Sequence, residues 1–192
     1  MSTDRWSQHT ALVVHAQIGH VLSEQGNHDL EALESYERAL VINIIIKEDD
    51  LGDAQNLGAM YHGIGVVHAR LGNWDEAIKA LKLAYSYIVG TDAHDIKPMR
   101  LSKYCEEIGR VRLDQYFWDE RLLLDTQERQ NVVMEAATFS RKSMEYLSYS
   151  NNTILICAQV AYLMDRIGEA NKLLMAYFEA EMEKKHGIYC RS

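Results

Sequence analysis

The chain has 192 residues, 47% of them hydrophobic and 25% charged, with 11 Gly and a single Pro. One Pro among so many Ala, Leu, Glu and Lys argues against an all-β protein, and the apolar content is too high for a disordered one. Twenty basic against 28 acidic residues leave a net charge of −8, which disfavours a partner that tracks phosphate backbones, so no nucleic-acid ligand is expected.

In chain order, apolar periodicity predicts helices at about 6–25, 29–47, 51–71 and 74–89, a loop at 92–97, then helices at 98–116, 128–148, 152–165 and 167–185. Pro98 suits a first helical turn, and Asn73 with Asp75 and Glu76 marks a helix start. The opening Met1 to Trp6 lacks a basic stretch followed by an apolar run, so no signal peptide is expected. The longest nearly apolar run, Ala39 to Ile46, is too short for a membrane span, and no membrane insertion is expected. Three widely spaced cysteines (Cys105, Cys157 and Cys190) form no CxxC pair, which points to a reducing cytoplasm.

A spacing recurs along the chain. In 56–89, Tyr61, Ile64, Gly65 and His68 precede the break at Leu71-Gly72-Asn73, and Ala77, Leu81 and Ala84 follow it. Small residues at Gly65, Ala77 and Ala84 permit close approach of two antiparallel helices, with Tyr61, Ile64 and Leu81 filling the remaining volume. The skeleton returns as Gly19, Ala32, Tyr36 and Ala39, and as Ala158, Ala170, Leu174 and Tyr177. A poorer copy has Gly109 followed only 27 residues later by Ala136, then Ser140 and Ser143, implying about fifteen inserted residues within 115–130.

These positions resemble the tetratricopeptide repeat family, most strongly over Gly65 to Ala84, and the copies cover about 7–185. Asp49 to Ala54 is similar to the lengthened repeats of kinesin light chains and G-protein-signalling modulators. The resemblance implies one all-α domain over 1–192: an α-solenoid of four helix-turn-helix pairs (7–47, 51–89, 98–148 and 152–185), a right-handed superhelix with a concave face. It puts the first helix of each pair on that face, with Val13, Ala16, His20 and Ser23 in the first pair and Ala59, His62, Val66 and Ala69 in the second. The third pair would contribute Lys103, Glu106, Arg110 and Leu113, and the fourth Leu155, Gln159 and Tyr162. A non-enzymatic adaptor that binds a partner's peptide or helix there is the expected function. Ala16 and His20 stand where relatives that grip chaperone tails carry Lys and Asn, which argues against that ligand.

Other features carry alternatives. Glu106 lies three and four residues from Lys103 and Arg110 and is expected to pair with both. Tyr116, Phe117 and Trp118 cannot all face one side of a helix, so they form a possible second contact unless the insertion buries them. That would suit a structural subunit or homo-oligomer, while a peptide-sensing regulator ranks third. Asp49, Asp50 and Asp53 spell a DDxxD motif, but acidic residues ahead of a helix explain it without magnesium. The eight histidines include no HxxxH pair, and no nucleophile or phosphate-loop motif is present, so no metal, cofactor or catalytic residue is expected.

Overall fold

The computed structural model describes residues 3–46, 51–91, 97–147 and 150–186. Among them are eight α-helices, one short 3-10 helix and no strand. The helices are α1 (Thr3–Gln25), α2 (Asp29–Ile46), α3 (Leu51–Arg70), α4 (Trp74–Val89), α5 (Lys97–Trp118), α6 (Thr126–Tyr146), α7 (Asn151–Leu163) and α8 (Ile167–His186). Sequential neighbours pack in pairs. The chain divides into two compact units, residues 1–97 and 98–192.

In the first unit the small residues of the repeating skeleton are the contact points. A Cβ added to Gly65 on α3 would lie 2.6 Å from Leu81 Cγ and 3.1 Å from the Ala77 carbonyl on α4. Gly19 on α1 makes the same kind of approach to the Tyr36 ring on α2, at 2.9 Å. Tyr36 also reaches Gly63 on α3, whose added Cβ would collide with the phenol oxygen. One ring thus fills a slot between two glycines on two helices, inside a core with Ala32, Ala39, Met60, Ile64 and Val67.

The turns within the first two pairs rest on glycine for a stated reason. Gly26 and Gly72 have φ of +72° and +73°, the left-handed region where a Cβ is penalised. At the second of these turns, Asn73 N–H returns to the His68 carbonyl, closing the end of α3. In the second unit the α7–α8 turn makes the same closure, Arg166 N–H to the Ala161 carbonyl, with Asp165 at φ 57° in glycine's place.

The second unit repeats the contact pattern with polar substitutes. Gly109 on α5 faces Ser140 on α6, where an added Cβ would lie 2.6 Å from Oγ. Ala136, Ser140 and Ser143 are completely buried, and Ala158 and Ala170 are nearly so. The fifteen extra residues lengthen both helices of this pair: relative to the second pair, α5 runs four residues further past its glycine and α6 starts seven residues earlier. The turn between them, 119–125, is also wider by four and holds the 3-10 helix (Glu120–Leu123). Asp119 organises it, accepting from Arg121 N–H at 3.1 Å, from the Arg121 guanidinium at 2.9 and 2.7 Å, and from Gln115 Nε2 at 3.2 Å. Bidentate charge-assisted bonds of this kind are among the stronger ones available to a turn. Arg121 foremost, then Gln115, holds the Asp119 carboxyl below its ordinary value against the opposing effect of burial.

Candidate contact sites

The inner-face residues of the first unit divide by burial. His20 is exposed and lies 3.4 Å from Glu24, one turn on. Ala16, His62 and Val66 are half-buried, with Ala16 packed against the core around Tyr36. Ala69 and Ser23 are buried, so neither offers surface to a partner. Ser23 instead belongs to a polar clip. Arg70 NH2 donates to Ser23 Oγ at 3.2 Å and Arg70 Nε to Asp29 Oδ1 at 3.0 Å, while Ser23 also bonds the Tyr36 hydroxyl. Burial pushes that phenol up to about 12. Asp29 opens α2 and Arg70 ends α3, so each charge opposes its own helix dipole while joining the two helices.

In the second unit Lys103 and Gln159 are exposed, as is Tyr162 at 66%, whereas Glu106 and Arg110 are half-buried. The expected pairing of Glu106 with Lys103 and Arg110 is corrected. Arg110 binds Glu107 at 2.8 Å and Asp114 at 2.8 Å, both on its own helix. Burial opposes its charge, but Glu107, Asp114 and Glu106 outweigh that and raise its pKa. Glu106 instead accepts from Thr153 Oγ1 on α7 at 2.6 Å.

That bond ends a buried hydroxyl chain. Ser143 Oγ lies 3.2 Å from Thr153 Oγ1 and 3.0 Å from Ser102 Oγ, tying α5, α6 and α7 together. Each hydroxyl has one proton, and the carboxylate takes Thr153's. Ser143 Oγ donates to the Ser102 carbonyl at 2.9 Å and Ser102 Oγ to the Ser143 carbonyl at 3.1 Å, so reciprocal side-chain-to-backbone bonds tie α5 to α6. These bonds satisfy the polar groups that the three helices bring inside the unit.

The insertion makes a different surface. Tyr116 is half-buried, edge-on to Phe117 at 5.1 Å, with the Arg129 guanidinium 4.3 Å above its ring. Phe117 and Trp118 are 55% and 75% exposed, and Leu123 and Leu124 are 67% and 95% exposed, while Leu122 is tucked in. The lengthened helices therefore bury only part of the apolar run. Beside it runs an open groove of about 580 Å³ lined by Tyr116, Arg129, Val133, Met134, Leu163 and Asp165, among others. No motif in the sequence announces this groove, because its walls come from three helix ends.

Cys105 and Cys157 are free thiols, pushed up by burial to about 12 and about 11, so both are protonated at neutral pH. Among the described residues no group of three or more His, Cys, Asp or Glu is placed to hold a metal ion. Asp49 and Asp50 of the DDxxD motif and Cys190 lie outside the described residues. No described helix is long and apolar enough to cross a membrane.

These features define an all-α protein whose neighbouring helices pack in pairs. Comparison with models of known families finds no match, and a search of curated proteins finds no similar one. The likeness to tetratricopeptide repeats accordingly stands on the residue pattern.

Proposed function

We propose that this protein is a non-enzymatic protein–protein interaction module of tetratricopeptide-like helix pairs, an α-solenoid acting as a cytoplasmic scaffold or adaptor. The observation that carries the reading is the apolar end of the second unit, where Phe117, Trp118, Leu123 and Leu124 stand exposed beside an open groove. Single exposed apolar residues are ordinary, but aromatics and leucines clustered at one place are characteristic of contact sites. The concave-face residues remain a second contact, but their support is weaker. Arg110 is satisfied within its own helix, and Ser23 and Ala69 are packed away.

The test is affinity capture from native extract with wild type, the triple variant Phe117→Ser/Trp118→Ser/Leu124→Ser, and His62→Glu/Arg110→Glu. A partner lost in the triple and kept in the double supports the insertion end. The reverse result moves the contact to the inner face. Self-association is a second reading, favoured by exposed Val14, Ile18 and Val21 at helical spacing on α1. Sedimentation equilibrium separates it, because a monomer's mass at every concentration removes it.

A further inference from the structure

The groove beside the insertion has a feature that a plain apolar patch lacks. Arg129, in the first turn of α6, lies over the Tyr116 ring, and its Nε is buried with no hydrogen-bond acceptor among the described residues. Buried charged donors without acceptors are uncommon, and each calls for an explanation. Asp165 lines the same groove, yet no ion pair joins it to Arg129. Val133, Met134, Leu163 and Met164 give the same groove an apolar lining. The volume of about 580 Å³ falls in the range that holds a small ligand or a few side chains.

An occupant matching all of this needs an anionic acceptor for Arg129, a donor for Asp165 and apolar bulk. A fatty acid supplies the first and last but leaves Asp165 facing hydrocarbon. A peptide supplies all three, because its backbone N–H groups are donors. We propose that this groove seats a short apolar segment of a partner protein carrying one acidic side chain, with its carboxylate on the Arg129 guanidinium and its backbone amides toward Asp165. This rests on the contact-surface reading above and adds to it the chemistry of the partner.

The experiment uses the full chain, isotopically labelled, and follows its amide spectrum. Two pools of hexapeptides, acetylated at one end and amidated at the other and randomised over Leu, Met and Phe, are titrated in, one with a central Glu and the other with Gln. The Glu pool is expected to shift amides of 126–134 and 162–166 at about tenfold lower concentration, the scale of one charge-assisted hydrogen bond. Arg129→Gln, its fold checked by the same spectrum, is expected to remove that difference. Equal response to both pools, shifts confined elsewhere, or no response overturns the proposal. A protein captured by wild type, lost in the Phe117/Trp118/Leu124 triple and kept by Arg129→Gln overturns the carboxylate seat alone. One kept by both variants overturns the contact reading as well.

Discussion

Replacing Gly65 by Ala sets two effects of opposite sign against each other at one position. In an exposed helix interior the change is favourable by about 1 kcal/mol, because Ala forms helix better than Gly. Here the new methyl would sit 2.6 Å from Leu81 Cγ, 2.9 Å from Cδ2 and 3.1 Å from the Ala77 carbonyl oxygen. Carbon atoms prefer about 3.5–4.0 Å, so α3 and α4 must move apart by several tenths of an ångström. Leu81 is fully buried and branched at the very atom that is struck, and the Ala77 oxygen is backbone, so neither can turn aside. Overpacking of this kind costs about 1–3 kcal/mol, which matches or exceeds the propensity gain and leaves a net loss of about 0–2 kcal/mol. Gly168→Ala is the control, since nothing lies within 4 Å of its added Cβ, and it is expected to be neutral or stabilising by up to about 1 kcal/mol. Urea unfolding followed by circular dichroism measures both. Leu81→Ala alone should cost about 2–5 kcal/mol, and adding Gly65→Ala to it should cost less than in the wild-type background, because the clash has gone. A Gly65→Ala protein more stable than wild type by the full propensity gain, or strict additivity with Leu81→Ala, refutes the close approach of these helices.

Four further outcomes are expected. Gly109→Ala should be milder than Gly65→Ala, since the atom it meets is the end of the short Ser140 side chain, and paired urea curves rank the two. Arg70→Gln should lower the first unit's stability by about 1 kcal/mol by removing the charge partner of Asp29, read as faster amide exchange in α2 and α3. The Asp119 carboxyl is held low, so its contribution is complete above the ordinary aspartate value near 3.9 and fades as pH falls through its lower folded value. Acid unfolding of wild type should therefore steepen below about pH 3.9 relative to Asp119→Asn, and superimposed curves contradict the bonding around that turn. At pH 8, iodoacetamide should modify Cys105 and Cys157 more slowly than in the unfolded chain, and mass spectrometry of the tryptic peptides decides it.

Helix positions were readable because they depend on local pattern: α4 starts at Trp74 and ends at Val89 as its periodicity indicates. Gly109 was harder to interpret, since Ser140 and Ser143 stand where the other copies carry bulkier or apolar side chains. Buried hydrogen bonds let serine occupy those places, and hydrophobicity alone gives no hint of that. Glu106 shows the limit of local rules. Helical spacing offered it Lys103 and Arg110, but its bond to Thr153 spans 47 residues and depends on how α5 meets α7. Ser23 is similar, held by Arg70 across another 47 residues. The groove was unreadable for the same reason, since Tyr116, Arg129 and Asp165 come from separate helix ends.

The slot around Tyr36 bears on how the first unit comes apart. In a simple stack each hairpin adds its own stability plus one interface, so an end hairpin can peel away and leave the next intact. Tyr36 belongs to the first hairpin by sequence, yet its hydroxyl end closes a notch at Gly63 in the second. Peeling α1 and α2 away would carry off that plug and open the centre of α3 to water. The two hairpins should melt as one body, and a shortened chain beginning at Leu51 would be a damaged protein rather than a smaller one.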